Sequence, residues 1–155
     1  MKFTCTKTNF NNGINIALKA VPGKTTMPIL ECVVIEAKGD MVKLTTNDMQ
    51  LGIETKIPAE IEQDGIILVN AKMISEIVRR LPDDDVNFEV DENNNILLFC
   101  GKSKFNIPGI PHDEFPMLPK IEADKTIHIS QFTLKEMIRP VSYTHLRAHE
   151  TLANL

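Results

Sequence analysis

The stretch of sequence that decides the fold is GIILVNAKMISEIVRRLP, residues 65–82. Its opening run, residues 65–69, is apolar and short, which predicts a buried strand. A helix is predicted at about residues 71–81, because apolar residues recur there at helical spacing. Asn70 is in the right place to cap this helix, and Pro82 ends it. The stretch therefore predicts a strand that leads directly into an amphipathic helix.

This helix is predicted to have one apolar and one polar face. The residues predicted to be buried are Met73, Ile74, Ile77, Val78 and Leu81. The other faces carry Lys72, Ser75, Glu76, Arg79 and Arg80. Three strands are predicted to follow, at residues 86–90, 96–100 and 102–107. The segment thus has the order βαβββ.

The N-terminal part of the chain shows the same order. A strand at residues 2–6 precedes a helix predicted from apolar residues at helical spacing, with Thr8 as its N-cap. These apolar residues are Phe10, Ile14, Ala17, Leu18 and Val21. Strands are predicted at residues 29–37, 41–46 and 49–57. Because βαβββ occurs twice in about 120 residues, we expect a pseudo-symmetric α+β domain.

The sequence begins this pattern a third time after a Pro-rich stretch, residues 108–119, which is predicted to be a loop and linker. A strand is predicted at residues 126–130 and a helix from Phe132 or Thr133. Phe3, Phe10 and Ile14 are matched by Ile127, Leu134 and Ile138, each 124 positions later. We therefore expect one domain at residues 1–120, and a linker with the truncated start of a second domain at residues 121–140.

The last residues, 141–155, do not continue the helical pattern. Residues 141–151 match the translation, in one frame, of a transposase adapter used in sequencing libraries, and Asn154 and Leu155 are compatible with the same frame. We expect this segment to be an artefact that begins near residues 139–142. The alternative is a genuine polar tail.

Composition and charge exclude several classes of protein. The chain has 155 residues, of which 43% are hydrophobic and 25% charged, and its net charge is −4, which argues against disorder. The longest apolar runs are far too short for a membrane helix. The N-terminus lacks a secretory signal, so a cytoplasmic location is expected. Three cysteines without a C-x-x-C spacing argue against a disulfide framework or a zinc site, and no cofactor is predicted.

No common catalytic motif is present in the first 140 residues. The remaining enzyme hypothesis is a small cytoplasmic thiol-dependent enzyme that uses Cys100 or Cys32 with His112. It requires a thiol with a lowered pKa.

The basic residues favour a second hypothesis, binding to nucleic acid. If the two helices lie side by side on one face of the sheets, Lys19, Lys72, Arg79 and Arg80 project from a common surface, with Lys24 at its rim. Such a surface contacts phosphates without reading bases. The alternative for Arg79 and Arg80 is a capping role at the negative end of their helix.

In residues 101–107, which contain the last predicted strand, basic residues alternate with small or polar and then apolar residues. The strand is either an edge strand protected by lysines or a strand that pairs with another chain. The pattern alone leaves both alternatives open.

Six motifs together resemble the N-terminal domain of the bacterial DNA polymerase III β subunit, the sliding clamp family. They are the opening Met-Lys-Phe-Thr, residues 26–30 (TMPIL), residues 46–48 (TND), residues 79–82 (RRLP), residues 101–105 (GKSKF) and residues 113–116 (DEFP). The likeness covers residues 1 to about 140. It implies a DNA clamp fold, in which each domain is a duplicated βαβββ unit with two helices packed on one face of antiparallel sheets.

The resemblance also implies a function. Two chains of three such domains form a ring that encircles duplex DNA, so the family holds DNA polymerase III to its template without catalysing a reaction. By this likeness Lys24 and Arg79 match positions that face DNA, although an arginine is frequent at position 24, and lysine lacks its planar fork. Lys102, Lys104, Phe105 and Ile107 match the edge strand at the subunit interface.

The family's second and third domains, and the cleft between them that binds the polymerase and the clamp loader, have no counterpart in this sequence. We therefore expect this chain neither to close a ring nor to recruit partners through that cleft.

Overall fold

The structure is a computed structural model that describes residues 1–119 and 127–139. The chain divides into two compact units, Met1–Pro119 and Lys120–Leu155. The predicted artefact at residues 141–155 lies outside the described residues.

Residues 1–119 form nine strands and two α-helices. In chain order these are β1 (Lys2–Thr6), α1 (Lys7–Ala17), β2 (Cys32–Lys38), β3 (Met41–Asn47), β4 (Gly52–Pro58), β5 (Glu60–Gln63), β6 (Gly65–Asn70), α2 (Ala71–Arg80), β7 (Asp85–Val90), β8 (Asn95–Cys100) and β9 (Ser103–Pro108). The observed order confirms the duplicated βαβββ pattern, with β5 as an addition.

The strands form two antiparallel sheets, and each sheet combines strands of both repeats. The five-stranded sheet has the order β5-β1-β7-β8-β9, and the four-stranded sheet has the order β4-β3-β2-β6. The first strand of each repeat therefore joins the sheet formed by the last three strands of the other repeat, through β1–β7 and β6–β2 pairing. This exchange joins the two halves into one domain.

The two repeats are related by a shift of 64 positions around their helices. Thr6 and Asn70 (70 − 6 = 64) are both N-caps, and their side-chain oxygens accept hydrogen bonds from the backbone N–H groups of Asn9 and Met73 at 3.3 and 3.0 Å. This confirms Asn70 as a cap but corrects Thr8. Thr6 keeps an extended backbone, which an N-cap requires, whereas Thr8 already lies within α1.

The main core lies between the helices and the inner faces of both sheets. At its centre the rings of Phe3 and Phe88 stack with centroids 4.8 Å apart, and Phe10 of α1 meets both rings edge-on at 6.1 Å. Aromatic pairs in these geometries add to the free energy gained from burial alone.

Gly13 allows α1 to approach the four-stranded sheet closely. A Cβ atom at this position would lie 2.8 Å from side-chain carbons of both Leu44 and Ile57. Glycine weakens a helix, but here it is required by the packing of α1 on β3 and β4.

The starts of two predicted strands need correction. The strand predicted at residues 29–37 begins only at Cys32, because Pro28 starts a short 3₁₀ segment, Pro28–Glu31. The strand predicted from residue 49 begins at Gly52, because Asp48 accepts hydrogen bonds from the backbone N–H groups of Gln50 and Leu51 and holds a turn.

Met73, which was predicted to be buried, is 43% exposed. Ile74, Val78 and Leu81 are buried, as predicted, Ile77 is half-buried, and Ala71 is buried in addition. At 3.6 residues per turn, Ala71, Ile74 and Val78 share one side of α2 and Met73 lies away from it.

The Pro-rich stretch has no regular helix over residues 111–119, but it is packed against the four-stranded sheet. The backbones of Ile110 and Leu68 exchange hydrogen bonds of 2.9 and 3.0 Å. Phe115 is 4% exposed and joins a second apolar cluster on the outer face of β2 and β6. The side chain of Asn47 donates a hydrogen bond of 2.7 Å to the carbonyl of Pro116. The stretch is a loop, as predicted, and it is also part of the fold.

In the second unit a helix, α3, covers residues 131–139. Ser130 caps it by accepting a hydrogen bond from the backbone N–H of Thr133 at 3.0 Å. Ser130 stands 124 positions after Thr6, so the helix starts where the repeat of the N-terminal pattern predicts it. Of the strand predicted at residues 126–130, residue 126 lies outside the described residues, and residues 127–130 form no strand.

Candidate nucleic-acid interface

The two helices of the first unit form one surface. Helices α1 and α2 contact each other, and both place their apolar sides in the same core. Their polar faces therefore lie side by side on the side of the domain opposite the sheets.

The five cations predicted to bind nucleic acid are all exposed. They are Lys19, Lys24, Lys72, Arg79 and Arg80. Three of them lie on α2, Lys19 lies in a 3₁₀ turn that extends α1 (Leu18–Ala20), and Lys24 lies in the loop after it. Within residues 1–119 none of the five forms a salt bridge.

Two lysines on the sheets, Lys2 and Lys43, form salt bridges. Lys2 contacts the carboxylates of Glu62 and Glu89 at 2.9 and 3.3 Å. Lys43 contacts those of Glu36 and Glu54 at 2.6 and 3.8 Å. The hydrogen bonds that the two ammonium groups donate to these carboxylates raise the pKa of both lysines. The largest effect on Lys2 comes from Glu62, and the largest on Lys43 from Glu36. Lys2 and Lys43 are thus neutralised, whereas the other lysines on the strands form no salt bridge within residues 1–119; these are Lys38, Lys56 and Lys104.

The helical surface carries a single acid. Among residues 7–20 and 71–80 only Glu76 has a carboxylate, and it lies one helical turn from both Lys72 and Arg80. Arg79 and Arg80 occupy the last turn of α2, where they also interact favourably with the helix dipole. This structural role and contact with an anion are compatible, because both side chains remain exposed.

Strand β9 is an edge strand, because it pairs only with β8. Lys102, in the turn before it, and Lys104 are exposed, and Phe105 is half-buried. Ile107 is 2% exposed and packs in the main core, so in the single chain it supports the strand from inside. The free backbone edge, the lysines and Phe105 are the accessible parts of this predicted subunit interface.

The sequence analysis missed an apolar pair beside this edge. Leu97 and Phe99 are half-buried on the outer face of β8, where the strand alternation places them opposite the buried Ile96 and Leu98. Together with Lys102 and Lys104 they line a shallow cavity of about 300 Å³. Strand alternation predicts that Leu97 and Phe99 face outward. All of residues 96–100 are apolar, however, so the sequence does not distinguish the outer face from the inner one.

The structure gives no support to the thiol-dependent enzyme. All three cysteines are buried, and within residues 1–119 no hydrogen bond joins one of them to His112. Burial, with a smaller contribution from Asp85, raises the pKa of the Cys5 thiol to about 12. Burial also raises the pKa of Cys32 and Cys100. A thiol-dependent enzyme requires the opposite shift.

We predict slow alkylation of the cysteines as a consequence. Because the thiolate is the reactive form, iodoacetamide at pH 8 should label the folded chain much more slowly than the chain unfolded in guanidinium chloride. Mass spectrometry of timed samples measures this. Rapid labelling of Cys32 or Cys100 in the folded chain would contradict the assignment of these thiols as core residues.

Two further features concern sites of other kinds. In the part of the chain that the structure describes, no three His, Cys, Asp or Glu side chains are grouped as ligands for a metal ion. None of the described helices is long and apolar enough to span a membrane.

Comparison with known proteins places the chain in a family. Residues 1–119 match the family model of the DNA polymerase III beta subunit, N-terminal domain. The chain is 40% identical over 147 residues to the beta sliding clamp of Bacillus subtilis, covering 90% of this chain and 39% of that protein. It thus spans about two fifths of the length of this relative.

Solved structures agree with this match. A protein described as a DNA polymerase III beta subunit from Eubacterium rectale has 52% sequence identity and a TM-score of 0.85, with 90% of this chain and 38% of that chain covered. The DNA polymerase sliding clamp from Bacillus subtilis has 39% identity and a TM-score of 0.86, with 90% and 39% covered. The expected DNA clamp fold is confirmed, and the chain belongs to the family of DNA polymerase III beta subunits through their N-terminal domain.

Proposed function

We propose that this chain is the N-terminal part of a sliding clamp, a non-catalytic processivity factor of bacterial DNA replication. In the intact protein two copies would close a ring around duplex DNA and hold DNA polymerase III on its template. Family membership supports this proposal. Processivity would then come from enclosure, so tight contact with DNA is not needed.

The observation that carries the proposal is the group of exposed cations on and beside the two helices. Residues 7–20 and 71–80 contain one acid, Glu76, and within residues 1–119 none of the five cations forms a salt bridge. Unpaired cations on one surface attract the phosphate backbone whatever its sequence. A chain of net charge −4 can therefore bind DNA through one face only.

The edge of β9 fits the second requirement, closure of a ring by two copies. Its free backbone groups can pair with a strand of another subunit, and Lys102 and Lys104 would meet acidic side chains there. Phe105, with Ile107 behind it, would supply the apolar part of this contact.

The other partners belong to the intact protein. We infer that DNA polymerase III and the clamp loader bind a cleft in the second and third domains of the family. We also infer that the protein acts in the cytoplasm, where bacterial DNA is replicated, and that it uses no cofactor.

Substitution of the cations tests the proposed DNA surface. We expect the double variant Lys24→Ala/Arg79→Ala to bind a fluorescently labelled duplex more weakly than the unchanged chain at low salt, and equally so for unrelated sequences. If both side chains contact phosphates, the slope of log K against log salt concentration should become less steep by about 2. Fluorescence anisotropy measures both quantities.

Lys38→Ala/Lys56→Ala is the matched control, because Lys38 on β2 and Lys56 on β4 are exposed cations of the four-stranded sheet. It removes the same two positive charges from the sheet side and should leave binding nearly unchanged. Equal loss of affinity in the control and in the double variant would refute the assignment of the helical surface.

A further inference from the structure

A row of side-chain amides follows the exposed face of α1, and neither the fold nor the proposed function yet accounts for it. Asn12 and Asn15 are exposed and Asn11 is half-buried. We call these three residues the amide row. Asn12, Asn15 and Lys19 are spaced by three and four positions, so the row leads along one side of the helix to the first cation of the surface.

Packing does not explain these residues. The buried side of α1 consists of Phe10, Gly13, Ile14 and Ala17. Within residues 1–119, the side chains of the amide row make no hydrogen bond, and they cap no helix terminus.

Helix stability does not explain them either. Asparagine is a poorer helix former than alanine, lysine, glutamine or glutamate, and this helix already contains Gly13. At solvent-exposed positions, where the core imposes nothing, a stable helix would favour one of those four residues. Exposed residues that run against the helix propensity of their positions are typical of a functional site.

The position of the row next to the cations indicates what it contacts. Helix α1 lies against α2, which carries Lys72, Arg79 and Arg80. Residues 7–20 contain no acid, so nothing on this helix repels an anion. Each amide offers two N–H donors and no charge.

We propose that the amide row is an uncharged contact surface for the phosphate backbone of duplex DNA. It donates hydrogen bonds to phosphate oxygens beside the cations of α2. Such bonds release no counterions, so they hold the duplex without adding to the salt dependence of binding. The inference rests on the proposed function, because it assumes that the helical surface faces DNA.

The test compares affinity, salt dependence and stability in the same variants. We expect Asn12→Ala/Asn15→Ala to bind a labelled duplex about 3- to 10-fold more weakly at every salt concentration, with the slope of log K against log salt unchanged. Because alanine favours the helix, the midpoint of thermal unfolding of this variant should rise by a few degrees. Weaker binding by a more stable protein separates a contact role from a structural one.

Two further variants complete the test. Asn12→Gln/Asn15→Gln keeps the amides and should retain most of the affinity. Asn106→Ala, at an exposed position of β9, removes an amide far from the helices in sequence and should change nothing.

The outcomes distinguish the two proposals. If the alanine variant binds with unchanged affinity while Lys24→Ala/Arg79→Ala still weakens binding, the proposed DNA contact of the amide row is wrong. The proposed function is then unaffected. A less steep salt slope in the alanine variant would also overturn the proposed contact of the amide row, because the residues would then act through the cations. Absence of duplex binding by the unchanged chain would overturn both proposals.

Discussion

Replacing Phe88 by alanine should remove about 3–5 kcal/mol from the free energy of unfolding, which is a large share of the stability of an ordinary domain. Phe88 is fully buried, stacks on Phe3 at 4.8 Å and meets Phe10 edge-on at 6.1 Å. Truncation therefore leaves a cavity where β1, α1 and β7 meet. Because β1 and α1 belong to the first repeat and β7 to the second, the substitution is expected to weaken the packing between the two repeats.

The measurement is urea unfolding followed by circular dichroism, with Phe99→Ala as the matched control. Phe99 lies on the neighbouring strand β8, on the opposite face of the same sheet, and is only half-buried. Truncation of Phe99 should lower the free energy of unfolding by clearly less than truncation of Phe88. Equal losses in the two variants would show that the aromatic cluster is not the centre of the core.

The second large effect is expected from Phe115→Ala, at about 3 kcal/mol. Phe115 covers Cys32, Val34 and Leu68 on the outer face of the four-stranded sheet. Without its ring these side chains would meet water, and the hydrogen bond from Asn47 to Pro116 would lose its support. The stretch after β9 would then behave as the loop that its proline content suggests.

Hydrogen exchange provides a local readout of this effect. The backbone N–H of Leu68 donates to the carbonyl of Ile110 at 3.0 Å, so its exchange should accelerate in the variant more than that of Val33 in the main core. Met117→Ala is the control, because Met117 is exposed in the same stretch. If Phe115→Ala is as stable as this control, the stretch is not part of the folded unit.

Much of the fold follows from local sequence signals. The helix of residues 71–80 was predicted to within one residue, because Asn70, the apolar spacing and Pro82 all indicate the same element. The duplication of the βαβββ unit was predicted from the repeated order of strands and helices. Pairing between repeats could not be predicted, because strand order depends on contacts distant in sequence that leave no periodic signal.

The errors have identifiable physical causes. Strand β5 escaped prediction because Glu60–Gln63 is a short edge strand in which Ile61 is the one apolar residue, too little for a visible alternation. The apolar character of Ile29 and Leu30 suggested a strand, but Pro28 favoured a 3₁₀ turn. In the candidate site, the five cations are exposed, and their contact with nucleic acid stays a prediction. The sequence could not show that Lys2 and Lys43 are paired with carboxylates, since this depends on which strands lie side by side.

The amide row illustrates the same limit. Asn11, Asn12 and Asn15 lie between the apolar residues of the first helix, so helical spacing alone places them on its outward face. Their proximity to the cations of α2 depends on the packing of the two helices. Conversely, the resemblance to sliding clamps assigned Ile107 to a subunit interface. Its burial in the core of the single chain emerges only from the structure.

The measurement that tests the central claim most directly is the affinity of the unchanged chain for duplexes of unrelated sequence over a series of salt concentrations. The account predicts weak binding, equal for all sequences, with log K falling linearly against log salt concentration at a slope of about −2 to −4, as expected for contacts between a few cations and phosphates. Binding that prefers one sequence or is insensitive to salt, or no binding at low salt, would contradict it.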